Sequence, residues 1–236
     1  MQKIIKLAFI DFKLIFRDPS LYTFLFLPTL LFALIIWVVP YLVGKYDFLE
    51  PYVPLMLIVC VVENTQMFSF ISSMVLVDEK ESNVATVYGI VPFKERQYLV
   101  SRFLFPYFFT VLLNIILFVV QPFYHFDWMN ILSISLLAAL VVPLYALTLN
   151  IIAKNRMEGL IYVKALNIVV LIPLVAFFVP GEWSHLFGVF PTYWIFKSVE
   201  NVTQGISAGL MLGIGFAFFA GLIWFTSRSF LRRHFM

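Results

Sequence analysis

The stretch VDEKESNVATVYGIVPFKERQYLVSR, Val77 to Arg102, is the longest polar stretch of the chain, and its flanks decide the fold. Before it, residues 52–77 are apolar apart from Glu63, Asn64 and Gln66, and after it residues 103–123 carry no charge at all. Each flank has the roughly 20 residues that an α-helix needs to cross a hydrocarbon core about 30 Å thick. Working outward, the same reading places further spans at 21–43, 131–153, 159–179 and 206–225. The bases then sort by side. Lys3, Lys6, Lys13 and Arg17 precede the first span, and Lys80, Lys94, Arg96 and Arg102 lie in the polar stretch. Lys154, Arg156 and Lys164 surround the fourth-to-fifth join, and Arg228, Arg232 and Arg233 follow the sixth span. Of the 16 bases only Lys45 and Lys197 are left for the opposite face. By the positive-inside rule the polar stretch and both termini are expected in the cytoplasm of a multi-pass protein of the plasma membrane, in a bacterium the inner membrane.

Composition agrees, with 62% hydrophobic and 12% charged residues and a mean hydropathy of +0.97, against about 45–50% and 25% in soluble proteins. Six spans and their joins use nearly the whole chain, so a single all-α membrane domain is expected over residues 1–236. The net charge of +3 is the sum of loops facing anionic lipid headgroups and protein partners, and it gives no reason to expect a nucleic acid. Cys60 is the single cysteine and falls inside an apolar run, which excludes a disulfide framework.

Residues 1–20 read as an amphipathic helix lying in the headgroup plane, because at 100° per residue Lys3, Lys6, Lys13 and Arg17 share an arc of about 80°. Asp11 and Lys13 interrupt any signal-peptide core, and Asp18-Pro19 ends the helix. Pro28 and Pro40 in the first span are tolerated kinks. Residues 183–196 are apolar yet too short to cross, and Gly181, Gly188 and Pro191 break the region, so a re-entrant or interfacial segment is expected over 180–205. Trp37, Tyr41, Tyr46, Tyr52, Tyr124, Trp128, Trp183, Tyr193 and Trp194 fall at the outer ends and match an aromatic belt. No internal repeat is evident.

The chain has no GxxxxGK[ST] loop to wrap a nucleotide's phosphates, and its one Gly-Lys pair, Gly44-Lys45, sits in an outer turn. Any ATP and Mg²⁺ would be bound by a partner, and no cofactor is expected on this chain. His125, His185 and His234 are scattered and lack ligand spacing, so no metal site is expected.

With those residues in place, the stretch 77–102 resembles the cytosolic loop of type-2 ABC exporter permeases. Glu79-Lys80-Glu81 supply an acidic cluster, Val84, Val87 and Tyr88 an apolar helical run, Pro92 the break, and Ser101-Arg102 the small-basic end. Asn83-Val84 stands where Gly-Thr is usual, and Gly89 interrupts the run. The resemblance implies a coupling helix over 78–102, with Asp78, Glu79, Glu81, Val84, Val87, Tyr88, Pro92, Lys94 and Arg96 docking on an ATPase subunit. It further implies two ATPase copies, a second permease subunit as homodimer or heterodimer, and export of an amphiphile, drug or lipid-like substrate by alternating access. Replacing Glu79 and Glu81 together with Lys is then expected to uncouple ATPase stimulation from transport. Asn155-Arg156-Met157-Glu158-Gly159 with Lys164, and Phe190-Pro191-Thr192-Tyr193-Trp194, resemble a fluoroquinolone-export branch of these permeases.

Glu63, Asn64 and Gln66 are candidate contacts on a substrate path, since a carboxylate left ionised against lipid at mid-membrane costs roughly 2.5–3.5 kcal/mol and should face protein or water. The other reading of Glu63 is a structural acid near Gln66 or Lys164. Asn114, Gln121, Asn150 and Asn167 read as interhelical hydrogen-bonding groups. Two other function classes remain open at this point: an ATP-independent secondary transporter or channel, and a membrane enzyme acting on lipids through Glu63, Asp127 or His125.

Overall fold

Among the described residues six helices are long and apolar enough to cross a membrane, and the chain is a multi-pass membrane protein. The computed structural model describes residues 26–82, 95–179 and 181–234. The expected interfacial helix at 1–20, and Val84, Val87, Tyr88, Pro92 and Lys94 of the expected coupling helix, lie outside the described residues. The spans are α1 (Leu27–Lys45), α2 (Val53–Glu81), α3 (Glu95–Val120), α4 (Trp128–Ile152) and α5 (Arg156–Phe178), followed by a short helix α6 (Pro191–Thr203) and the last span α7 (Gly209–His234). Among the described residues there is no strand.

The helix α2 is the axis of the bundle. It packs against α3, α4, α5 and α6, while α7 lies on α4 and α6. Leu57, Val61, Ile71, Met74 and Val77 of α2 are fully buried, as is Cys60, in one apolar core shared with Leu137, Val142 and Leu149 of α4. The flanking helices α1, α5 and α7 turn Trp37, Tyr41, Ile161, Ile168, Leu210 and Phe225 outward, as lipid-facing helices do. At 1.5 Å per residue the 29 residues of α2 extend for about 44 Å, well beyond a hydrocarbon core of about 30 Å. Its last turn therefore stands clear of the apolar zone, and the polar stretch is helical at both ends instead of beginning as a loop at Asp78.

Prolines leave their marks where an N–H is missing. In α1 the turn Leu34–Val38, just ahead of Pro40, widens to a π-helix; in α5 the helix tightens to 3₁₀ geometry over Ile172–Phe178, which contains Pro173. The span α4 is interrupted at Leu140 before Pro143, where Leu140 N–H bonds to the Leu137 carbonyl at 3.1 Å. In each case the backbone rearranges locally to satisfy the carbonyls that proline leaves without a donor.

The region expected to be re-entrant or interfacial is a 3₁₀ segment, Gly181–Val189, leading into the 13-residue helix α6. At about 20 Å this helix is too short to cross. It is anchored to α5 by Thr192 Oγ1, which donates to the Val170 carbonyl at 2.7 Å. Its end is closed by Gly205 at φ +73° and by Ile206 N–H bonding back to the Asn201 carbonyl at 2.8 Å, a left-handed cap that glycine adopts without strain.

Three of the four intramembrane amides join helices. Asn64 Nδ2 donates to Asn114 Oδ1 at 2.7 Å, and Asn114 Nδ2 donates to Thr65 Oγ1 at 3.1 Å, tying α2 to α3. Asn150 Nδ2 reaches the Ser73 carbonyl at 3.2 Å, and Tyr145 Oη donates to Asn167 Oδ1 at 2.6 Å between α4 and α5. Gln121 acts differently. Its Oε1 accepts from the N–H groups of Phe123 and Tyr124 at 2.9 and 3.0 Å, so it builds the turn after α3 and not a helix contact.

Candidate functional site

The end of α2 that emerges at the base-rich side carries Asp78, Glu79, Lys80 and Glu81 in consecutive positions. Successive residues of a helix point about 100° apart, so four in a row address every neighbour around the axis. Glu79, 8% exposed, faces α3: its Oε1 meets Arg102 Nη2 at 2.5 Å and its Oε2 accepts from Tyr98 Oη at 2.8 Å. Arg102 is itself buried and stacks on the Tyr98 ring, 5.1 Å from the centroid. Tyr98 and Arg102 are one turn apart on α3, which lets one face of that helix supply both donors.

Lys80 turns the other way. Its Nζ donates to the carbonyls of Ala153 at 2.7 Å and Asn150 at 3.2 Å, the end of α4. Those carbonyls have no partner within their own helix, and a cation there also complements the negative end of the helix dipole.

Asp78 and Glu81 both serve α5. Asp78 Oδ2 lies 3.2 Å from Arg156 Nη1, and Glu81 Oε2 accepts from the Arg156 backbone N–H at 3.0 Å. Two carboxylates thus stand at the positive end of α5. The same helix start is capped internally by Asn155 Oδ1, which accepts from Glu158 N–H at 2.9 Å, while Glu158 Oε2 accepts from Lys154 N–H at 3.0 Å. The return bond goes to the residue before the N-cap, so this is a variant of the capping box, and it gives the segment 155–159 its local structure.

The outcome is a junction in which one helical turn of α2 is fastened to α3, α4 and α5. Glu79, expected on a docking face, points into it; Asp78 and Glu81 are partly and fully exposed, and both are engaged with Arg156. Arg96 falls in the first turn of α3. The sequence signal for the junction was Arg102 itself, a cation at the threshold of an apolar span, which needs an acid partner to be buried.

The expected substrate-path residues separate. Asn64 is buried and bonded to Asn114, and Gln66 is 4% exposed. Glu63 is half-buried, and among the described residues neither Gln66 nor Lys164 bonds to it; Lys164 is exposed. An apolar cavity of about 230 Å³ lies elsewhere, between α4, α5, α6 and α7, with Tyr145, Thr148, Thr192 and Thr226 on its wall. Among the described residues no group of His, Cys, Asp and Glu could hold a metal ion.

A family model described as fluoroquinolones export permease protein Rv2686c-like matches residues 11–227. Fluoroquinolones export permease protein Rv2686c of Mycobacterium tuberculosis (strain ATCC 25618 / H37Rv) is 26% identical over 106 residues, 44% of this chain and 42% of that protein. Fluoroquinolones export permease protein MT2760 of Mycobacterium tuberculosis (strain CDC 1551 / Oshkosh) gives the same values. The matched region therefore spans less than half the length of these curated relatives. No solved structure matches.

Proposed function

The chain belongs to the Rv2686c-like fluoroquinolones export permease family, and on that premise we propose that it is the membrane-spanning subunit of an ATP-driven ABC exporter. The base-rich side faces the cytoplasm. Two ATPase subunits dock there, on residues 83–94 and on the N-terminal segment, and a second permease subunit completes the path. The ATP and Mg²⁺ belong to the ATPases. An amphiphile of the fluoroquinolone type, planar and carrying ionisable groups, is taken from the cytoplasm or the adjoining leaflet and released outward by alternating access.

The observation that carries this reading is the junction at Asp78–Glu81. A push on the residues that follow Glu81 is applied to a helix end already fastened to three other spans, so it moves them together as a body instead of bending one loop. Only contacts that differ between inward and outward states can drive such a change, and in this scheme they lie on the ATPase side.

The test is reconstitution. Co-expressed with its ABC ATPase, the chain is expected to copurify with that subunit and to stimulate its hydrolysis when substrate is added, and replacing the ATPase P-loop lysine should abolish export; failure of any ABC ATPase to copurify would count against the assignment. Full-rate movement of substrate by the chain alone in ATP-free proteoliposomes would overturn the assignment in favour of an ATP-independent transporter.

We also assign Glu63 to the path, because it is a half-buried intramembrane carboxylate without a hydrogen-bond or ion-pair partner among the described residues. A charged contact of this kind is worth about 1.5–3 kcal/mol. Glu63→Gln should lower export of a cationic amphiphile roughly ten-fold or more at equal membrane abundance. Undiminished export would remove Glu63 from the path.

A further inference from the structure

Near the base-rich end, α3, α4 and α7 enclose a groove of about 760 Å³ that is separate from the junction and from the 230 Å³ cavity. Its floor is apolar: Phe103, Tyr107, Leu147, Ile223 and Leu231. It opens outward from the bundle, since Val100 on one lip and Trp224 on the other are 53% and 57% exposed. The volume is of the size that holds a small-molecule ligand.

Among the described residues the charge at the mouth of this groove is positive. Arg228 lies over the Trp224 ring, its guanidinium carbon 3.9 Å from the centroid, and it lines the groove. Among the described residues no carboxylate lies within ion-pair distance of it. Arg232, exposed, follows one turn later on the same face of α7. By contrast Arg102, the nearby cation of α3, is already neutralised by Glu79. A guanidinium held over an aromatic face keeps N–H donors that can pair with two oxygens of a phosphate. An apolar slot with its open side toward hydrocarbon, ending in two cations at headgroup level, complements an anionic phospholipid.

We propose that this groove binds one anionic phospholipid of the surrounding leaflet, with an acyl chain in the slot and the phosphate on Arg228 and Arg232. The site is independent of the transport reaction and would be filled whatever the chain exports.

The experiment uses the full chain in nanodiscs of phosphatidylcholine doped with brominated-chain phosphatidylglycerol or brominated-chain phosphatidylcholine. Bromine quenches tryptophan on contact, and the Trp224 signal is the difference between the wild type and Trp224→Phe. Brominated phosphatidylglycerol should half-quench that signal at about a thirty-fold lower mole fraction, as two cations near the membrane surface imply. Arg228→Gln should cut the preference to about five-fold, Arg228→Gln with Arg232→Gln should bring the two lipids level, and Arg228→Lys should keep most of the preference. Equal quenching by both lipids in the wild type would reduce the groove to ordinary lipid contact and overturn the proposal. Absence of quenching by either, with Val100→Cys cross-linking between copies, would give the groove to a second copy of the chain and overturn it as well.

Discussion

Arg102→Met is expected to leave little folded protein in the membrane, and what remains should unfold at a much lower temperature in mild detergent. The substitution keeps the volume of the side chain but takes the Arg102 guanidinium away from the buried Glu79 carboxylate. Removing one member of a buried ion pair typically costs about 3–5 kcal/mol, because the charge left behind has lost both water and counter-charge. The double variant Glu79→Gln with Arg102→Met removes both charges and should recover most of that loss. Tyr98→Phe removes a single hydrogen bond to a charged acceptor and should cost about 1.5–3 kcal/mol. A stable Arg102→Met single variant would show that the pair does not hold the junction together. The same geometry changes what the paired replacement of Glu79 and Glu81 by lysine would report. Lysine at position 79 places a second cation against Arg102, so loss of folding precedes any loss of coupling. Uncoupling is better sought at Glu81 and in residues 83–94.

The second large effect belongs to Gly215→Leu. This glycine lies where α7 crosses α4 and α6, and a Cβ added there would stand 2.9 Å from Leu137 Cδ2 and 3.0 Å from Trp194 Cβ. Leu137 is fully buried, and the Trp194 contact is at Cβ, which is fixed to its backbone, so neither neighbour can yield without a shift of the packed helices. Even Gly215→Ala should cost about 1–3 kcal/mol, the usual range for overpacking, and the larger leucine should separate the helices. Gly213 and Gly221 on the same helix meet nothing within 4 Å. Their leucine variants should be neutral or slightly stabilising, since glycine is a poor helix former. Thermal unfolding of the three variants, measured side by side, checks the close crossing; equal behaviour at positions 213, 215 and 221 would contradict it.

The six spans were legible because hydropathy is local: whether residues 103–123 suit a bilayer depends on those residues alone. So too was the belonging to an export permease family, through 155–159 and 190–194. The structure explains the first of these segments as the cap of α5. The second starts α6, where Trp194 Nε1 donates to the Gly188 carbonyl at 3.1 Å. What could not be read was which neighbour each polar residue meets. Glu79 and Lys80 are adjacent in sequence and face different helices, a matter of helical phase and packing, not of composition. Gln121 shows the same limit from the other side. It has the residue type and depth of an interhelical hydrogen-bonding group, but the chain turns within reach of its amide, and local bonds win.

Because Asp78 through Glu81 fit three different neighbours by angle, that turn of α2 is keyed like a lock tumbler. Adding or removing a single residue just before Asp78 would rotate the whole set by about 100°, presenting Lys80's amine where a carboxylate is wanted and a carboxylate to the exposed carbonyls of α4. Length at this point is therefore constrained more tightly than chemistry: a conservative exchange disturbs one fastening, whereas an indel misaligns them all.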